Sequence, residues 1–70
     1  MRVILRTNDL VLLSYARHLL AEAGIESYVL DQHFAAVEGS IGAFPRRLAV
    51  AEEELAAARL ALAELKEHLE

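Results

Sequence analysis

The sequence contains no cysteine, so no disulfide holds this 70-residue chain together, and no thiolate metal site or cysteine nucleophile is available to it. No uninterrupted apolar run approaches the ~20 residues needed to span a bilayer. The N-terminus, with Asn8 and Asp9 close behind Met1, lacks the pattern of a secretory signal. Together these absences lead us to expect a cytoplasmic protein. Basic charge is also scarce, with 7 Lys and Arg against 11 Asp and Glu for a net charge of -4. General nucleic-acid binding relies on a basic surface to neutralise phosphates, so that class is set aside. Catalytic and nucleotide motifs are missing as well. There is no nucleophile elbow, P-loop or dinucleotide fingerprint, and His18, His33 and His68 fall into no HxH, HxxxH or HExxH pair that would preorganise a metal. We therefore expect no enzyme activity, no cofactor and no metal.

What remains is a chain with 56% hydrophobic residues, too many for disorder, and short enough that one domain over residues 1–70 is the natural expectation. The excess negative charge is confined to one segment. Residues 1–50 balance five Arg against five acids, while residues 51–70 carry six Glu against Arg59 and Lys66.

Arg2 to Arg6 forms a short aliphatic, β-branched run that reads as a strand, and Thr7, Asn8 and Asp9 follow as residues suited to capping a helix N-terminus. The helix should bury Leu12, Ala16, Leu19, Leu20 and Ala23, and stop at Gly24, which enters the left-handed region freely. Ile25 to Leu30 reads as a second strand and Arg46 to Val50 as a third. Between them, residues 31–45 hold Gly39, Gly42 and Pro45 without strand alternation, the signature of a long loop, with one helical turn allowed at residues 33–38. Loops of that length in compact domains are often functional. Its entrance groups Asp31, Gln32 and His33 with Phe34, and Arg46 and Arg47 stand at its exit. Asp31 as a turn former and the arginines as solvated charges are the bland alternatives. A second helix is expected from about Glu52 to Leu69, with Ala51, Leu55, Ala58, Leu62, Leu65 and Leu69 on its core stripe. Leu69 and Glu70 also admit a reading as a cloning remnant.

A strand-helix-strand crossover leaves its strands parallel, and a long loop lets the third strand return antiparallel between them. The expected fold is α+β, a βαββα ferredoxin-like half-plait with sheet order 2-3-1 and both helices on one face. The fourth strand of that plan is missing, which exposes the edge of strand one. Placing Val3, Leu5, Ile25, Val29, Leu48 and Val50 toward the helices puts Ile4, Tyr28, Leu30 and Ala49 on the opposite face, an apolar surface suited to interaction. Ile4, Tyr28 and Leu30 are accordingly the candidate interface of a homo-oligomer.

The short first strand, the turn at Thr7-Asn8-Asp9, the Leu19-Leu20-Ala-Glu-Ala-Gly24-Ile25 helix end, Leu48-Ala-Val50 and the Ala-Leu helix at Ala58 to Leu62 together resemble the putative prokaryotic signal-transducing protein family. The resemblance extends over nearly the whole chain. It implies a bacterial protein with a GlnB-like fold, with residues 31–45 in the place of the PII regulatory loop. No residue here matches a PII phosphate-binding motif. The leading expectation is a non-enzymatic regulatory or protein-interaction module that oligomerises through its sheet and presents residues 31–45 to a protein partner. The alternative is a sensor of a small anionic ligand, with a pocket between subunits near Arg46 and Arg47.

Overall fold

The computed structural model describes residues 1–30 and 45–70. Strand β1 spans Arg2–Thr7, helix α1 spans Leu10–Glu22, β2 spans Ser27–Leu30 and β3 spans Arg46–Val50. A 3₁₀ turn at Glu52–Glu54 leads into helix α2, Leu55–Ala61, and a second 3₁₀ segment covers Ala63–His68. The three strands form one sheet in the order β1-β3-β2, with β3 antiparallel to both neighbours. Both helical layers pack on the same face, where Leu13, Ala16 and Leu20 of α1 meet Ala58, Leu62 and Leu65 over Leu5, Leu48 and Val50. The strand order and the single helical face therefore match expectation.

Helix α1 begins and ends where its local signals place it. The Asp9 carboxylate accepts hydrogen bonds from the Val11 and Leu12 amides at 2.9 and 3.2 Å, and the Thr7 hydroxyl accepts from the Asp9 amide at 3.0 Å. Two amides that the helix leaves without partners are thereby satisfied. At the other end Gly24 adopts φ 77°, and the Gly24 and Ile25 amides donate to the carbonyls of Ala21 and Leu20. This is the Schellman pattern, in which the apolar residue after the glycine folds back onto the last turn, here Ile25 with Leu20, both buried. The buried stripe is shifted from the expected one. Leu13 is buried, Leu12 and Leu19 flank the core, and Ala23, as the capping residue, is exposed.

The chain after β3 departs from a single helix over 52–69. Ala51 has no side chain that can cap, and the first turn is 3₁₀ rather than α. Leu62 and Leu65 leave helical geometry, with φ near -101 and -108°, and the Leu65 amide donates to the Leu62 carbonyl three residues back. In a 3₁₀ segment side chains three apart eclipse, so Leu62 and Leu65 both reach the core, while the rise per residue grows from about 1.5 to about 2.0 Å. The chain is thereby carried to the outer edge of β1. There Leu69 is extended, forms an antiparallel bridge with Leu5, and the Glu70 amide donates to the Ile4 carbonyl at 3.0 Å. Leu69 thus ends the core stripe from an extended position, and the β1 edge expected to be bare is partly paired.

A second correction concerns which residues face the helices. Val3 stands opposite Ala49, Leu5 opposite Leu48, and Ile4 is the extra residue of a β-bulge between them. Two consecutive side chains of a bulged strand can share a face. Ile4 and Leu5 are both in the core, at 1% and 0% exposure, and Val3 is turned to the other side with Ala49. The expected assignment of Val3 inward and Ile4 outward is reversed.

Candidate functional site

Strand register defines the face of the sheet turned away from the helices. Directly opposed residues of an antiparallel pair share a face, and successive residues alternate. Because Leu5, Leu48 and Val29 face or flank the core, one outer row is Val3, Ala49 and Tyr28 and the next is Arg6, Arg47 and Leu30. No described helix lies over these rows. Ala49 is nonetheless wholly buried, Val3 and Leu30 are half-buried and Tyr28 retains 37% exposure. The Tyr28 hydroxyl donates to the Glu26 carboxylate at 3.0 Å, and this bond, with the nearby negative charge, raises the phenol above its ordinary pKa of 10.0.

Among the described residues the charged end of this face holds one ion pair. Arg6 Nε donates to Glu70 at 2.6 Å, so the same residue whose amide bonds Ile4 also neutralises Arg6. Arg47, directly across from Arg6, has its Nε buried with no hydrogen-bond partner. Arg46 is exposed and pairs in register with Thr7, which sets it on the helix side of the sheet. The two arginines expected to act together thus diverge. Arg2, also on that side, is bonded to Glu52 at 2.9 Å.

Of the remaining candidate residues, Tyr28 and Leu30 lie on the outer face, whereas Ile4 belongs to the core and cannot offer its side chain to a partner without unfolding β1. Asp31, His33 and Phe34, and the expectation of a long loop, lie outside the described residues. Among the described residues no group of three His, Asp or Glu is placed to hold a metal ion. No described helix is long and apolar enough to cross a membrane.

One feature escaped the pattern reading. Arg17, His18 and Ser14 on α1 and Glu26 and Ser27 on the approach to β2 line an open groove. The helical spacing of Ser14, Arg17 and His18 identifies one face of α1, but nothing local tells that this face overlooks β2. On the other flank of α1 the Tyr15 hydroxyl donates to Glu64 at 2.6 Å, tying α1 to the last 3₁₀ segment and raising the Tyr15 pKa.

A small antiparallel sheet with helices on one face and a mixed apolar and cationic surface on the other defines an α+β domain whose distinctive surface is its sheet. The family model for putative prokaryotic signal transducing proteins matches residues 1–66, and the chain belongs to that family. No curated protein and no solved structure matches it.

Proposed function

We propose that the chain is a non-enzymatic module of bacterial, cytoplasmic signal transduction that acts as a homo-oligomer through the outer face of its sheet. The observation that carries this reading is the face over which no described helix lies, where Tyr28 stays part exposed with Val3 and Leu30 half-buried near it. Contiguous apolar surface of this kind usually serves contact with another chain. A chain of 70 residues without disulfides also gains much from burying it, because its own core is small. The family to which it belongs supports the signalling part.

The fold we assign is ferredoxin-like. Its support is the strand order together with the Leu5–Leu69 bridge, which sets the end of the chain antiparallel on the outer side of β1, where a fourth strand of that plan would lie. In a GlnB-like arrangement of that sheet, residues 31–45 take the position of a regulatory loop facing a protein partner.

Sedimentation of the full chain at micromolar concentration tests the main reading. An oligomer that dissociates on Tyr28→Asp supports it, since burying an unpaired carboxylate in an interface is costly. A wild-type monomer overturns it.

A further inference from the structure

The two edges of the sheet are finished differently. Strand β1 carries a bulge at Ile4, has Arg2 and Arg6 along it, and meets the extended Leu69 on its outer side. Bulges, charges and covering segments of this kind keep an edge from pairing with another chain. Strand β2, at the other end of the order β1-β3-β2, has none of them among the described residues. Ser27–Leu30 pairs with β3 without irregularity, contains no charge and no proline, and among the described residues has β3 as its only strand partner. Alternate residues of an antiparallel strand bond one neighbour and turn their N–H and C=O groups the other way, so half of these backbone groups point off the sheet. An open groove of about 420 Å³ adjoins this strand, with Ser14, Arg17 and His18 of α1 on one wall and Glu26 and Ser27 on the other. Ser27 stands opposite Val50 and so on the helix side. The other flank of α1 is tied to the last 3₁₀ segment by Tyr15 and Glu64, which leaves the groove flank turned toward β2.

The charge in the groove selects its occupant. Arg17 and His18 are exposed, and no described group forms an ion pair with either. Glu26 is the one acid of the groove, and its carboxylate is taken up by the hydroxyl of Tyr28 on the outer row. Glu22, one helical turn beyond His18, is not among the lining residues. The α1 wall is therefore cationic through Arg17, joined by His18 when its imidazole is protonated. We propose that an extended acidic segment of a partner protein adds to the outer edge of β2, with its carboxylates against Arg17 and His18. In this mode backbone hydrogen bonds to the edge give affinity, and alternate side chains entering the neighbouring groove give specificity. Ser14 and Ala21 are small, which keeps the α1 wall open between the two basic residues and the strand. The groove lies on the helix side of β2, so this site does not depend on oligomer formation through the outer face.

The test is a titration of the isotope-labelled full chain with a capped peptide of alternating glutamate and threonine, followed by backbone amide shifts and hydrogen exchange. Saturable shifts along Ser27–Leu30 and at Arg17 and His18, with slower exchange of the β2 amides, are expected. A peptide of alternating lysine and threonine should bind about tenfold more weakly or worse, because its charge is wrong. The glutamate peptide with alternate amides N-methylated, in either register, keeps the charge but loses backbone donors, and in at least one register should weaken by a similar factor. Arg17→Glu should weaken binding about tenfold or more, and Arg59→Gln on α2 should leave it unchanged. Absence of saturable shifts, or equal binding by the lysine peptide, by both N-methylated peptides or by the Arg17→Glu chain, overturns the proposal. Protection of all four β2 amides in the chain alone also overturns it. Such protection assigns the edge to the same chain, or to a second copy where it grows with concentration. Sedimentation of the same samples keeps the two readings apart. A monomer that binds the peptide retains this site and removes the oligomer, whereas an oligomer that ignores the peptide does the reverse.

Discussion

On one face of the sheet Leu5, Leu48 and Val50 lie under two helical layers with no exposure, whereas the other, one residue out of step along the same strands, sets Val3 and Ala49 beside Tyr28, Arg6 and Arg47. The centre of the first face is aliphatic, with Arg2 and Arg46 at its ends, and it contributes stability by burial. Each fully buried leucine or isoleucine is worth roughly 1.5–3 kcal/mol relative to exposure. The second mixes small, aromatic and cationic side chains, holds one surface ion pair among the described residues, and leaves one guanidinium nitrogen without an acceptor. Apart from Ala49, which is wholly buried, the residues of this face keep part of their surface in the single chain. The contrast teaches that alternate residues of one strand can differ in burden, one row packing the core and the next, Ala49 apart, left part open.

The sharpest way to break this comparison uses two consecutive residues. Ile4→Ala should cost about 2–5 kcal/mol of unfolding free energy, as deletions in a close-packed core do. Val3→Ala, one residue earlier but on the outer face, should cost under about 1 kcal/mol in the monomer. Urea denaturation of the two variants checks both, and equal losses would mean that the bulge does not turn Ile4 inward. Gly24→Ala comes next. No atom lies within 4 Å of an added Cβ there, so steric room is not the issue, but φ 77° penalises any L side chain by about 1–2 kcal/mol. The thermal midpoint should fall accordingly, and an unchanged midpoint would mean that α1 can end without the left-handed residue.

The smallest expected effect is a dependence on alkaline pH. Tyr15 and Tyr28 both have phenols raised above 10.0 by hydrogen bonds to Glu64 and Glu26. The folded state therefore holds these protons more tightly than the unfolded one. Their contribution is fully present below pH 10 and is lost as pH rises through the raised values. Stability should decline above pH 10, and Tyr15→Phe, which joins the helix side, should remove part of the decline. A variant with the same alkaline profile as the wild type would show that the Tyr15–Glu64 bond does not persist in solution.

Much of the covered face was legible because its signals are local. Asp9 and Gly24 punctuate α1, the crossover and long return dictate the order β1-β3-β2, and the three-and-four stripe of Ala58, Leu62 and Leu65 finds the core even though the helix carrying it is broken. The outer face was less legible. A bulge at Ile4 carries no glycine or proline to announce it, and one extra residue reverses which of Val3 and Ile4 is buried. Leu69 fits both a helical stripe and an extended bridge, and only the distance to Leu5 decides between them. Arg46 and Arg47 are adjacent in sequence and so on opposite faces of a strand, which the pairing of charge by proximity along the chain conceals.

The division of labour between the faces can be tested in a single experiment, urea unfolding of the wild type and of Tyr28→Asp across a range of protein concentrations. If the outer face joins subunits and the inner face alone folds each one, the wild-type midpoint should rise with concentration, because association stabilises by mass action. The variant's midpoint should stay flat at the wild type's dilute value. A wild-type midpoint independent of concentration, or a Tyr28→Asp chain unfolded at every concentration, would contradict the account.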